Sequence, residues 1–177
     1  MWHAPVVLLW RLYRQAHGPG LDGAGGLHAA GRWHELGSPV VYFGASAAIV
    51  VLEKLAHINP DALPIDLILT RFEADISAEE LTDFDGLHDL TQTRARGEQF
   101  LKAKNACVLC VPSIVLPEEH NLVFNPLHPD ASKLQPVHHR SFTFDGRLLQ
   151  GHASPASLRG SGAGERARGF GYGCNLT

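Results

Sequence analysis

Residues 31–53 read GRWHELGSPVVYFGASAAIVVLE. Two patterns meet in that run. PVVYF (39–43) is β-branched and aromatic and reads as a short strand. Ser46 then stands where a helix N-cap is favoured, and a helix is expected from it to about Ile58, stopped by Asn59-Pro60. Glu53 falls inside its apolar part, with Ile49, Val50, Ala56 and His57 as neighbours three and four positions away. A carboxylate there is either solvated at the edge of the apolar face or buried beside it, and burial is costly unless the group is paired or hydrogen-bonded. Arg32 reads as a solvated loop residue and Tyr42 as half core. Ten positions separate them, and Glu53 lies eleven beyond Tyr42.

Outward from this run, strands outnumber helices. A first strand is expected over 5–14 (PVVLLWRLYR) and a glycine-rich loop over 17–31. That loop has no GxGxxG and no strand-loop-helix context, which argues against a Rossmann dinucleotide fold. Downstream come a strand between Leu63 and Phe72, a short turn over 78–81 and a charged helix from about Thr91 to Ala103. Further strands are expected at 106–112, 122–125 and 137–144, with a turn over 125–130. Helices and strands do not alternate regularly, so the expected class is α+β, one domain with a mixed central sheet flanked by helices.

Composition narrows the function classes. The 177 residues are 45% hydrophobic and 19% charged, with a net charge of −3. This suits one globular domain and gives no electrostatic footprint for nucleic acid. The N-terminal apolar run is too short for a signal peptide, no stretch approaches the roughly 18 apolar residues of a membrane span, and a cytoplasmic protein is expected. Three cysteines make no disulfide framework. The CVLC pair, Cys107 and Cys110, lies in an apolar strand with no second CxxC and reads as two buried thiols on opposite strand faces, with no metal site expected. Residues 151–177 hold seven glycines and no apolar period, so 150–177 reads as a flexible extension.

A second region, VPSIVLPEEHNLVFNPLHPD (111–130), puts Ser113 where a strand leaves the sheet. No GxSxG surrounds it, so it reads as a turn-stabilising hydroxyl rather than a hydrolase nucleophile.

In combination these motifs resemble a family: the RES-domain toxins, named for an arginine, a glutamate and a serine. The resemblance runs over roughly residues 9–149, through WRLYR, the glycine-rich loop, GRW, the Tyr strand, the helix glutamate, VPS, NPLHPD and FTFDGRLL. The family's positions fall on Arg32, Tyr42, Glu53 and Ser113. His34-Glu35 departs from the asparagine or small polar residue common there, and the stretch between the first helix and VPS is short. The resemblance implies an ADP-ribosyltransferase-like fold over 1–149 and a toxin that cleaves the nicotinamide–ribose bond of NAD+, by phosphorolysis or hydrolysis. The alternative it leaves is ADP-ribosyl transfer to a protein. NAD+ is then substrate, with no prosthetic group. The implied partner is an Xre-type antitoxin in a hetero-oligomer, with phosphate as a second small molecule and neither nucleic acid nor membrane engaged directly.

The four residues suit such chemistry. Bond cleavage builds an oxocarbenium-like ribosyl cation that Glu53 would stabilise. Arg32 would fork onto the pyrophosphate, and Tyr42 would stack on nicotinamide. Ser113 would hold the nicotinamide amide or orient Glu53. Trp33 reads as either a site neighbour or core. A chain that had lost activity and served only as a binding partner would not need this set.

Overall fold

In the computed structural model, which describes residues 6–58 and 63–149, seven strands form one mixed sheet. The elements in chain order are β1 (Val7–Arg14), α1 (Gly25–His28), β2 (Val41–Gly44), α2 (Ala47–Ala56), β3 (Leu67–Ala74), β4 (Ala78–Glu80), α3 (Leu90–Ala103), β5 (Val108–Pro112), β6 (His120–Phe124) and β7 (Gln135–Phe142). The sheet order is β4-β5-β6-β2-β1-β3-β7. The β4–β5 pair is parallel and the others are antiparallel. By contact the chain divides into two units, Met1–Thr143 and Phe144–Thr177. All seven strands belong to the first. The described part of the second holds a 3-10 turn, Gly146–Leu149, and an Arg147–Asp145 ion pair.

The α+β expectation holds, and most elements fall where the apolar patterns place them. Three corrections have physical causes. Residues 25–28 in the glycine-rich stretch close into one helical turn, stabilised by the local bond from Ala29 N–H to the Gly25 carbonyl. The expected turn at 78–81 is strand β4, whose AEE sequence shows no apolar alternation because it lies at the sheet edge with Glu80 and Ala78 exposed. The two cysteines of CVLC share one face: both lie against the same apolar cluster, although a strand would place residues three apart on opposite faces. Cys107 precedes β5, and its N–H and that of Val108 both bond the Ser77 carbonyl, so strand alternation begins only after it. The expected helix stop at Asn59-Pro60 and the extension from 150 onward lie outside the described residues.

Strand alternation builds a core on each side of the sheet. On one, Leu9, Val41, Phe43, Phe72, Val108, Leu122 and Phe124 are buried together, with Phe43 edge-on to both Phe72 and Phe124. On the other, Trp33, Phe100, Leu101, Leu109, Val111 and Val123 pack together, with Tyr42 against them.

The sheet is tightly laddered except at one seam. Eight residue pairs join β1 to β3, but Trp10↔Gly44 is the register pair between β1 and β2. Beyond it a side chain does the joining: Arg11 Nη1 donates to the Tyr42 carbonyl at 2.7 Å. The strands therefore diverge, and a cleft opens where they part.

Candidate active site

The cleft has a volume of about 710 Å³ and is lined by Arg11, Arg32, Tyr42, Glu53 and Asn121 among others. Of the four residues singled out in the sequence, Arg32, Tyr42 and Glu53 face it. Ser113 does not; it is fully buried behind Glu53.

Glu53 comes from α2. Ser46 caps that helix, its hydroxyl oxygen accepting from Ile49 N–H at 3.2 Å while donating to Glu119 Oε2 at 2.9 Å. Glu53 is partly buried and hydrogen-bonded. Its Oε1 accepts from Ser113 Oγ at 2.7 Å and from Asn121 Nδ2 at 2.5 Å. Among the described residues no partner is recorded for Oε2. A carboxylate held through one oxygen has a fixed aim. The Ser113 hydroxyl is saturated: it donates to Glu53 and accepts from Val115 and Leu116 N–H at 3.0 and 3.2 Å. Ser113 thus bonds both the turn that follows it and the Glu53 carboxylate. A hydroxyl so occupied has nothing left for a nicotinamide amide. Asn121 escaped the sequence reading. Its signal was there, an amide in a short apolar strand, where asparagine is depleted.

The Arg32 loop is fastened from behind by α3, and this explains that helix's mixed charge. Arg94 Nε donates to the Gly31 carbonyl at 2.9 Å, and Glu98 Oε1 accepts from Glu35 N–H at 3.0 Å. Between them a Cβ on Gly97 would lie 1.9 Å from the Trp33 carbonyl oxygen, so helix and loop touch backbone to backbone. Arg32 Nη1 reaches across to the Leu87 carbonyl at 3.0 Å. Trp33 is both core and cleft neighbour: it is 2% exposed, tilted against Phe84, and borders the cleft.

Tyr42 is tied to the same loop through its hydroxyl. That oxygen accepts from Trp33 N–H at 3.1 Å and lies 2.8 Å from His34 Nδ1. His34 Nε2 lies 2.9 Å from the Ala29 carbonyl, which only accepts, so Nε2 carries the proton and Nδ1 accepts from the Tyr42 hydroxyl. His34 thus has a role: buried at 4% exposure, it bridges the tyrosine to the loop. Burial raises the Tyr42 phenol well above its ordinary value, against the Trp33 bond and the nearby Arg32 and Arg94 charges. Its hydroxyl is committed, and its ring is what it offers the cleft.

Arg11, read from sequence as an ordinary strand residue, sits at the seam with its guanidinium 5.6 Å from the centre of the Phe43 ring. Burial draws it down to about 10, opposed by Tyr13. The two cysteines lie elsewhere and resist ionisation. Burial pushes Cys107 up to about 12 and raises Cys110. Among the described residues no group of three or more His, Cys, Asp or Glu side chains is placed to hold a metal ion, and no helix is long and apolar enough to cross a membrane.

Comparison with known proteins bears on the family and the fold. Residues 8–145 match the model of a family described as the RES domain. The chain is 37% identical over 151 residues to Toxin Res of Pseudomonas putida, an alignment that covers 81% of this chain and all of that protein. It is 32% identical over 154 residues to the Prs ADP-ribosylating toxin of a Sphingobium species, covering 80% of this chain and 96% of the relative. Among solved structures, a chain of the M. tuberculosis MbcT-MbcA toxin-antitoxin complex superposes with a TM-score of 0.61 over 82% of this chain and 88% of that one. At 20% identity, that match speaks for the fold alone.

Proposed function

The chain belongs to the RES domain family, and on that premise we propose that it is the toxin of a toxin–antitoxin pair and that it cleaves the nicotinamide–ribose bond of NAD+. The observation that carries the reading is the Glu53 carboxylate, held by Ser113 and Asn121 in a cleft that also presents two arginines and a tyrosine ring.

In this reading NAD+ lies with its nicotinamide against the Tyr42 ring and its diphosphate toward Arg32. The C1″–N bond breaks with its electron pair going to the nicotinamide nitrogen, which leaves as neutral nicotinamide. Positive charge develops on the ribose, and Glu53 stabilises it electrostatically. Ser113 is a positioning residue: it fixes which Glu53 oxygen faces the ribose. Attack by phosphate at C1″ gives ADP-ribose 1″-phosphate, and attack by water gives ADP-ribose. Growth stops because NAD+ is drained. An enzyme of this kind needs a neutralising partner, and an Xre-type antitoxin that covers the cleft would serve. The toxin–antitoxin complex that holds the structural neighbour supports that expectation.

A second reading has its own support. The Sphingobium relative bears the name of an ADP-ribosylating toxin, and the same ribosyl cation captured by a protein side chain gives a modified target. Mass spectrometry after incubating the purified chain with NAD+, phosphate and a cell extract separates the two. Free ADP-ribose or its 1″-phosphate is expected. A protein gaining one ADP-ribose, with no free product, replaces the first reading by the second.

A further inference from the structure

Strand β7 ends the sheet. It pairs with β3, and among the described residues no second strand pairs with its other side. An edge strand presents a row of backbone N–H and C=O groups on that side. All residues from Gln135 to Ser141 are exposed. The register with β3 shifts between Arg71 and Phe72, beside Pro136, and is regular from Arg71↔His138 to Leu67↔Phe142. Edges are commonly blunted by shortness, lysine, proline or a bulge. Here the proline and the irregularity stand at one end, and residues 138–142 keep a regular, open edge. Such an edge is a template for strand addition.

What this edge would accept follows from its side chains. QPVHHRSF holds two histidines and an arginine and no carboxylate, in a chain whose net charge is −3. Arg140 forms no ion pair among the described residues. Its Nη1 donates to the Ser141 carbonyl at 3.1 Å, and its guanidinium lies 5.5 Å from the centre of the Phe142 ring. His138 and Arg140, two apart, share one face of the strand. A second copy fits this edge poorly. Pairing β7 with β7 sets like groups opposite one another, and β4, the acidic edge, has three residues, of which Glu79 is bound to Arg96. We propose that β7 docks an extended segment of a partner protein, acidic at alternate positions, as an eighth strand. Its carboxylates lie across from His138 and Arg140, and main-chain bonds along 138–142 supply most of the affinity. β3 stands between β7 and the cleft-lining β1, so this contact is separate from the cleft and independent of the NAD+ reading.

The test uses a fluorescein-labelled peptide, Thr-Glu-Val-Glu-Thr-Glu, titrated against the whole chain by fluorescence anisotropy at fixed ionic strength. Its fully N-methylated form keeps the charge and lacks the N–H groups, and a third peptide carries lysine in place of each glutamate. The acidic peptide should bind, the N-methylated one should not saturate, and the lysine one should bind roughly tenfold more weakly. Arg140→Gln should weaken the acidic peptide roughly twofold to fivefold, and Arg140→Glu roughly tenfold. Because Arg140 is exposed, both variants should melt with the wild type. Amide exchange, followed by mass spectrometry, should slow over residues 137–142 when the acidic peptide is added. A wild type that does not bind it, equal binding of the N-methylated form, equal binding to Arg140→Glu, or protection confined to other residues each overturns the proposal. So does a wild-type dimer, seen by sedimentation, that protects 137–142 without peptide: the occupant is then a second copy.

Discussion

Ser113 Oγ lies 2.7 Å from Glu53 Oε1, a bond between side chains 60 positions apart that joins the turn after β5 to the middle of α2. Replacing Ser113 by alanine strips Glu53 of one donor and leaves the Val115 and Leu116 N–H groups without their acceptor. Each such loss costs about 1–3 kcal/mol where the group is buried. The variant should melt at lower temperature and show a reduced kcat with KM for NAD+ nearly unchanged. A KM rise with kcat intact would mean that Ser113 contacts substrate.

Glu53→Gln keeps the shape and both hydrogen bonds to Ser113 and Asn121, because the amide oxygen still accepts. What it loses is the carboxylate that the proposed reading sets against the ribose. By analogy with removing one electrostatic stabiliser, kcat should fall by about a hundredfold or more, with a cooperative melt close to that of the wild type. Full NAD+ turnover in a folded Glu53→Gln protein refutes the assignment. Asn121→Leu should lower turnover as well, since it removes the other donor to Oε1.

The helix bearing Glu53 was legible in the sequence because its cap and its apolar spacing are local signals. Its partners were not. Nothing within one turn of Glu53 announces that Ser113 and Asn121 will meet it, since strand pairing brings them there through β6 and its neighbours. Arg11 was hidden for a related reason. The expected strand over 5–14 gave no sign of which way its arginine turns, and the parting of β1 from β2 brings it to a cleft. Strand β7 was expected at 137–144 although it is exposed nearly throughout, whereas β4, with the sequence AEE, carries no β-branched or aromatic residue.

Tyr42→Phe separates the ring from the hydroxyl. It leaves His34 Nδ1 and the Trp33 N–H unpaired, so stability should fall by about 1–3 kcal/mol. The ring face remains, and NAD+ affinity measured well below the new melting point should change less than threefold, about 0.7 kcal/mol. Tyr42→Ala should lose both. Equal affinity losses in the two variants would place the binding role on the hydroxyl.

Arg32→Lys keeps the charge and loses the fork. A lysine also gives up the directed bond to the Leu87 carbonyl. KM for NAD+ should rise roughly tenfold, in the range of one charge-assisted hydrogen bond, with kcat affected less. Unaltered binding would remove Arg32 from the diphosphate site.

Alkaline stability has a defined sign. Cys107 is raised in the folded state from 9.0 to about 12 by burial, so the neutral thiol is favoured there. Its contribution is complete below about pH 9 and is lost as pH climbs toward 12. The slope from one such group is at most about 1.4 kcal/mol per pH unit. Tyr42, also raised, acts in the same direction at higher pH. Thermal melts between pH 7 and 11 should fall more steeply for the wild type than for Cys107→Ala. Parallel curves would contradict the buried thiol.

The bonds that aim Glu53 reach forward by 60 and 68 residues. During synthesis the glutamate therefore leaves the ribosome long before the side chains that hold it. At roughly 5–20 residues per second, the interval is about 3–14 s. Over that time the emerging chain has its carboxylate but not the two side chains that hold it. The order of synthesis thus makes the aiming of Glu53 one of the later events in forming the cleft.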